Sequence, residues 1–262
     1  PQIWGDIANT LNQLDGYYRS DARQATFRAF ATRQLNPMLA RLGWDAQAGE
    51  SDPVAILRLQ LISTLARLGD AEVIAEARRR YAAQATDPAA LPAGLRKTVL
   101  AVVAWHADAA TWEQLRAAAV AEKTPLVKDE LYRLLASTRD PMLARHALEL
   151  ALTDEPGATT SPRMISDVAG QHPDLAFDFA IAHKTKVDGM LNVLRRNGYY
   201  PNLGRGSLDP AMVAKLQAHA DAHLAAGSRR DTETAIGDVI YSQSVRELRL
   251  PVIDTWLEKH GG

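Results

Sequence analysis

Residues Thr124–Leu152, TPLVKDELYRLLASTRDPMLARHALELAL, spell out two helices together with their punctuation. Thr124 is a good N-cap residue, and Pro125 sits at the first helical position, where its missing N–H costs nothing. Leu131, Leu134 and Leu135 follow at i, i+3, i+4 spacing, the mark of one buried helix face. Ser137-Thr138-Arg139-Asp140 breaks the pattern, and Asp140-Pro141 restarts it with a second cap and proline. Met142, Leu143, Ala147, Leu148, Ala151 and Leu152 form the next apolar stripe. The stretch reads as an αα-hairpin with a corner of about three or four residues.

The same corner recurs at Gly69-Asp70, Ala107-Asp108 and His172-Pro173-Asp174. From Asp70 to Asp108, Asp140 and Asp174 the steps are 38, 32 and 34 residues. Helix pairs repeating at roughly 35 residues mark an α-solenoid, in which each unit buries its face on its neighbours. The fold expectation is therefore all-α, an α-superhelix of HEAT/ARM-like antiparallel helix pairs. No convincing period-2 strand interrupts it.

Bulk properties narrow the function. At 262 residues the chain easily buries a core. Hydrophobic residues make up 47% but aromatics only 6%, which suits Ala- and Leu-rich helices. A net charge of −1 argues against a dedicated nucleic-acid binder. The absence of cysteine excludes disulfides, thiol catalysis and Cys-based zinc sites. No run approaches the roughly 18 apolar residues of a membrane span. The chain opens at Pro1 without a methionine and reads as an excerpt or processed piece. The compartment thus stays open, with a soluble cytoplasmic or periplasmic/secreted protein expected.

Taken in order, Pro1–Leu14 looks like the tail of a helix, turned at Asp15-Gly16. Asp21 and Gln24 have capping-box spacing for a helix running to a Gly43 stop, with Pro37 expected to kink or divide it near Gln34. Asp52-Pro53 should cap VAILRLQLISTLARL, apolar nearly all round and hence central. Thr153–Pro162 is the most loop-like run and the place for a hinge between halves. Helical units continue beyond it, so one domain over residues 1–262 is expected. Asn197–Leu208, NGYYPNLGRGSL, reads as a second irregular loop before Asp209-Pro210. The closing helix should bend or break before Pro251.

Candidate chemistry is sparse. No histidine is followed by glutamate, so the HExxH zinc-protease motif is absent. His219 and His223 have the i,i+4 spacing that can place two imidazoles on one metal, but on an Ala-rich helix they read as wet-face residues. Gly204-Arg205-Gly206 lacks the third glycine and preceding strand of a phosphate loop. The clusters Arg78-Arg79-Arg80, Arg195-Arg196 and Arg229-Arg230 read as solvated faces, with anion contact the sharper alternative. No GxSxG elbow occurs. No catalytic residue and no metal ligand is assigned to this chain.

The succession FRAFATRQLNPMLARLGW (Phe27–Trp44), LRLQLISTLARLGDAEVIAEARRRY, LRKTVLAVVAWHADAATWEQL, LYRLLASTRDPMLARHALELAL and VRELRLPVIDTWLEK resembles the C-terminal helical domain of the M1-type zinc aminopeptidases. The resemblance covers roughly Asp21 to His260. It implies a bowl of helix pairs that closes a chamber over an upstream zinc domain and contacts the peptide substrate. It also implies that the zinc, its histidines and the glutamate base belong to that upstream domain, so this chain itself is expected to be inactive and to hold no cofactor. The expected partners are the upstream catalytic domain of the same polypeptide and the peptide. Helix pairing by itself gives a different alternative, a free-standing HEAT- or tetratricopeptide-like interaction scaffold. Within the bowl, Arg205 with Tyr199 or Tyr200 is the expected peptide contact, because the segment offers a cation and aromatics between rigid helices.

Overall fold

Aspartates placed just before helices are the local reason the corners form. In the computed structural model, which describes residues 1–260, Asp70 caps α4 (Ala71–Ala83) by accepting from the Val73 amide at 2.9 Å. Asp108 caps α6 (Ala109–Ala121) through the Thr111 amide at 2.8 Å. Asp140 accepts from the Met142 and Leu143 amides at 2.7 and 3.2 Å at the head of α8 (Pro141–Ala151). Each bond satisfies an amide that has no partner inside its own helix. The fourth corner works differently. There α10 (Pro173–Ala182) starts behind His172 without a side-chain cap, and Asp174 accepts from Ser207 Oγ at 2.7 Å. Thr124 does precede α7 (Pro125–Ala136), yet its hydroxyl makes no cap bond; Glu122 takes the Lys123 and Thr124 amides instead.

The chain is all-α, with no strand among the described residues. It divides into two compact units, Pro1–Val103 with the closing stretch from Val245, and Ala104–Ser244. The last two positions of the 1–262 expectation lie outside the described residues. In the first unit α1 (Gln2–Tyr17), α2 (Gln24–Leu42) and α3 (Asp52–Arg67) pack on one another, α4 lies on α3, and α15 (Leu250–His260) lies on α2. Leu57, Leu61, Ile62 and Leu65 put α3 at the centre, as its composition suggested. Each such fully buried side chain contributes on the order of 1.5–3 kcal/mol. Tyr18 closes this unit by stacking on Phe27 at 4.9 Å and donating to Asp254 of α15 at 2.7 Å.

In the second unit α6, α7, α8, α9 (Ser161–Ala169), α10, α11 (Lys184–Met190), α12 (Val193–Gly204) and α13 (Ala211–His223) pack largely on near neighbours in the chain. The break before Pro251 is found: α14 (Arg230–Leu248) ends there and α15 restarts at Leu250. Several side-chain bonds join helices over similar separations along the chain. His172 Nε2 lies 3.1 Å from the Thr138 carbonyl, 34 residues back. Arg133 pairs with Asp167 at 2.7 Å across the same separation, and Asn36 donates to Asp70 at 2.8 Å, again 34 apart.

Several local expectations are corrected. The Asp15-Gly16 turn is helix, because Asp15 is buried against Arg28 at 2.7 Å and needs no turn to reach solvent. Gln24 donates to Asp15 instead of completing a capping box with Asp21. The second helix is not divided at Pro37; α2 runs unbroken to Leu42, where Gly43, at φ +67, ends it as anticipated. Its buried stripe of Phe27, Ala31, Leu35 and Leu39 holds both sides of the proline on one core. The cap of α3 is Ser51, one residue before Asp52. Within Thr153–Pro162, Glu155 is held by Arg116 at 2.7 Å and by the Tyr132 hydroxyl at 3.3 Å.

Candidate functional site

The segment read as the irregular loop Asn197–Leu208 is helix as far as Gly204. Its glycines answer to packing: a Cβ on Gly198 would lie 2.3 Å from Asp231 Oδ2, and one on Gly204 would lie 2.8 Å from Met212 Sδ. Glycine therefore marks close approach to α14 and α13, not a turn. With α12 helical, the three candidate residues face different ways. Tyr199 is partly buried, donates to the Pro162 carbonyl at 2.8 Å and lines two clefts. Tyr200 is 1% exposed and points into the core. Arg205, six residues beyond Tyr199 and so about 9 Å further along the axis, is half exposed and ion-paired with Asp238. That pair joins the end of α12 to α14 across 33 residues of chain. The rings of Tyr199 and Tyr200 meet edge to face at 5.6 Å, whereas Arg205 lies further along the chain on its own ion pair.

Tyr200 instead organises a polar cluster beneath the helix. Its hydroxyl donates to Asp188 at 2.7 Å, Lys184 pairs with the same carboxylate at 2.5 Å, and the Lys184 ammonium lies 5.1 Å from the Tyr200 ring centroid. Burial, then the bond to Asp188, pushes the Tyr200 phenol well above its ordinary value. Burial acts to raise Asp188, but the bonds from Lys184 and Tyr200 hold it below the usual carboxylate range. Against Tyr200, at 4.9 Å, lies His219.

His219 overturns the wet-face reading. It is buried, with Phe177 at 6.3 Å and His223 at 5.0 Å, and its Nδ1 has no hydrogen-bond partner. Burial, with the charges of His223 and Lys184, lowers it to about 4. Its position was legible: Met212, Leu216, His219 and Ala220 are all buried and fall at i, i+4, i+7, i+8. His223 is exposed, and no group of three or more metal-ligating side chains occurs among the described residues. The pair does not fit a zinc centre, which needs at least three protein ligands.

The two clefts beside Tyr199 both lie in the second unit. One, of ≈ 590 Å³, runs along α7, α9 and α12 and is lined by Arg133, Arg163, Asp167, Asn192, Arg195 and Tyr199. The other, of ≈ 370 Å³, is lined by Leu194, Arg195, Gly198, Tyr199, Asn202 and Asp231, among others. Arg195 borders both, and its side chain makes no hydrogen bond or ion pair with any described residue.

The other arginine clusters do not read as simple solvated faces. Arg80 is buried, pairs with Asp45 and Glu76 at 2.7 Å each, and lies 5.3 Å over the Trp44 ring. Arg196 donates to the Asp188 carbonyl at 2.7 Å, and Arg229 pairs with Asp221 at 2.5 Å. Arg58, hidden in the most apolar helix, is 3% exposed and forks to Glu50 and to the carbonyls of Leu42 and Gly43. No spacing rule marks it, because its partners come from the preceding loop.

A family model for the ERAP1-like C-terminal domain matches residues 1–240. Over 128 residues the chain is 33% identical to Aminopeptidase M1-A of Oryza sativa subsp. japonica, a stretch that is 46% of this chain and 14% of that protein. Over 122 residues it is 34% identical to Aminopeptidase M1 of Arabidopsis thaliana, covering 44% of this chain and 14% of that protein.

Proposed function

Because the chain belongs to the ERAP1-like C-terminal domain family, we propose that it serves as the non-catalytic C-terminal domain of an M1-type zinc aminopeptidase. The match over residues 1–240 is the observation that carries this reading. In the parent enzyme the domain packs on the upstream catalytic domain and closes the chamber around the peptide. The zinc and the general base come from that upstream domain. Among the described residues His219 and His223 have no third ligand beside them.

Within this reading the peptide meets α12 through Tyr199, with Arg205 at the far end of the same helix. Tyr199 combines a fixed ring with two adjoining clefts, which suits an extended ligand. Arg205 keeps half of its side chain exposed beside Asp238. Tyr200 acts from beneath, holding the helix in place through Asp188.

The test is made in the full-length enzyme. Tyr199→Ala is expected to raise KM for a long peptide about tenfold, the loss of roughly 1–1.5 kcal/mol of aromatic contact, and to leave a dipeptide-sized substrate unchanged. Arg205→Ala should act in the same direction but more weakly, by a few-fold, because a wet ion pair contributes about 1 kcal/mol or less. Equal kinetics on both substrates for both variants would overturn peptide contact. An upstream reading frame without HExxH would replace the peptidase assignment with a free-standing interaction scaffold.

A further inference from the structure

The smaller cleft holds two opposite charges whose side chains have no bonding partner among the described residues. The side chain of Asp231, in the first turn of α14, makes no hydrogen bond or ion pair with any described residue. Its carboxylate rests in a notch on α12, close to the Gly198 backbone and near the Asn202 side chain, both of which line the cleft. The notch exists only because residue 198 lacks a Cβ. Glycine inside an exposed helix is less favourable than alanine by about 1 kcal/mol, so its use here coincides with the place where a carboxylate must come close. One turn earlier on the same face stands Arg195, likewise unbonded through its side chain. Arg195 and Gly198 are three residues apart, about 4.5 Å along the helix axis. Leu194, which is 91% exposed, and Leu203 and Tyr199 add apolar surface between and beside the charges.

We propose that the cleft formed by α9, α12 and α14 binds a short zwitterion, an α-amino acid or dipeptide, with its ammonium on Asp231 and its carboxylate on Arg195. Three features support this. The two opposite charges line one cleft. A carboxylate matches an ammonium and a guanidinium fork matches a carboxylate. The volume, ≈ 370 Å³, lies at the small end of ligand sites. The apolar side chain of the ligand lies on Leu194 and Tyr199. Asn202, at the edge of the notch, donates its Nδ2 to the Gly198 carbonyl at 2.8 Å. The cleft is one of the two beside Tyr199, so it adjoins the peptide contact proposed above. Its lining residues all belong to this chain, and binding to the isolated chain tests it independently of the peptidase reading.

The experiment uses the chain itself, titrated with leucyl-glycine and followed by calorimetry or ligand-observed NMR. Saturable binding is expected for the free dipeptide, and at least tenfold weaker binding for its N-acetyl and its C-terminal amide forms. Asp231→Asn should abolish the difference between the free and N-acetylated dipeptide, and Arg195→Gln the difference between acid and amide. Gly198→Ala should weaken the free dipeptide by displacing Asp231 while leaving helicity and the unfolding midpoint unchanged or raised, which separates site loss from misfolding. No saturation up to roughly 10 mM, or equal binding of free and blocked dipeptides to the unaltered chain, would overturn the proposal. So would variants that bind as the unaltered chain does.

Discussion

His219 illustrates how a single side chain couples packing to pH. Its imidazole is buried against Phe177 and Tyr200, and its folded-state value is lowered to about 4 from 6.5. The unfolded chain therefore binds a proton that the folded chain refuses, and stability falls as pH drops from about 6.5 toward 4. The expected loss attributable to this residue is of the order of 3 kcal/mol across that window, and it levels off below it. Urea unfolding of the protein and of His219→Leu at pH 7 and pH 5 checks this, since the variant should lose less stability on acidification. A simpler residue-scale case is Asp140, whose carboxylate serves two amides at the head of α8. Asp140→Ala should cost about 1 kcal/mol, read as a lower urea midpoint. Asp174→Ala should leave the start of α10 intact, because that helix has no side-chain cap to lose.

At the scale of elements, α12 shows why composition misled and what corrects it. Gly198, Pro201 and Gly204 look like loop residues when each is taken as a backbone preference. Packing decides otherwise, since Gly204 lets α12 approach Met212 and Leu216 of α13. Gly204→Ala should therefore destabilise the second unit by about 1–3 kcal/mol through overpacking, despite alanine's better helix propensity. Gly198→Ala, which meets only the movable end of Asp231, should not. Comparing the two thermal midpoints tests the distinction. Pro37 in α2 makes the complementary point. A proline signal predicts a division, but a stripe buried on both sides of it keeps the helix whole.

For the whole molecule, the reading of the chain as a piece without its own catalytic machinery has a direct check. Incubated with zinc and a panel of aminoacyl chromogenic substrates, the isolated chain should show no turnover above a heat-treated control. Chelator-sensitive hydrolysis would contradict it. What the sequence determined alone was the all-α class and the helix corners at Asp70, Asp108 and Asp140. These are local quantities: a cap bonds amides two or three residues away, and an apolar stripe has a fixed 3.6-residue period. What only the tertiary structure decided was which polar groups are buried and with whom. Arg58 meets Glu50, Arg80 meets Asp45, Tyr200 meets Asp188, and Asp231 finds its notch at Gly198. Those partners are brought together by helices folding onto one another, so the free energy that settles each side chain comes from surfaces absent from its own segment.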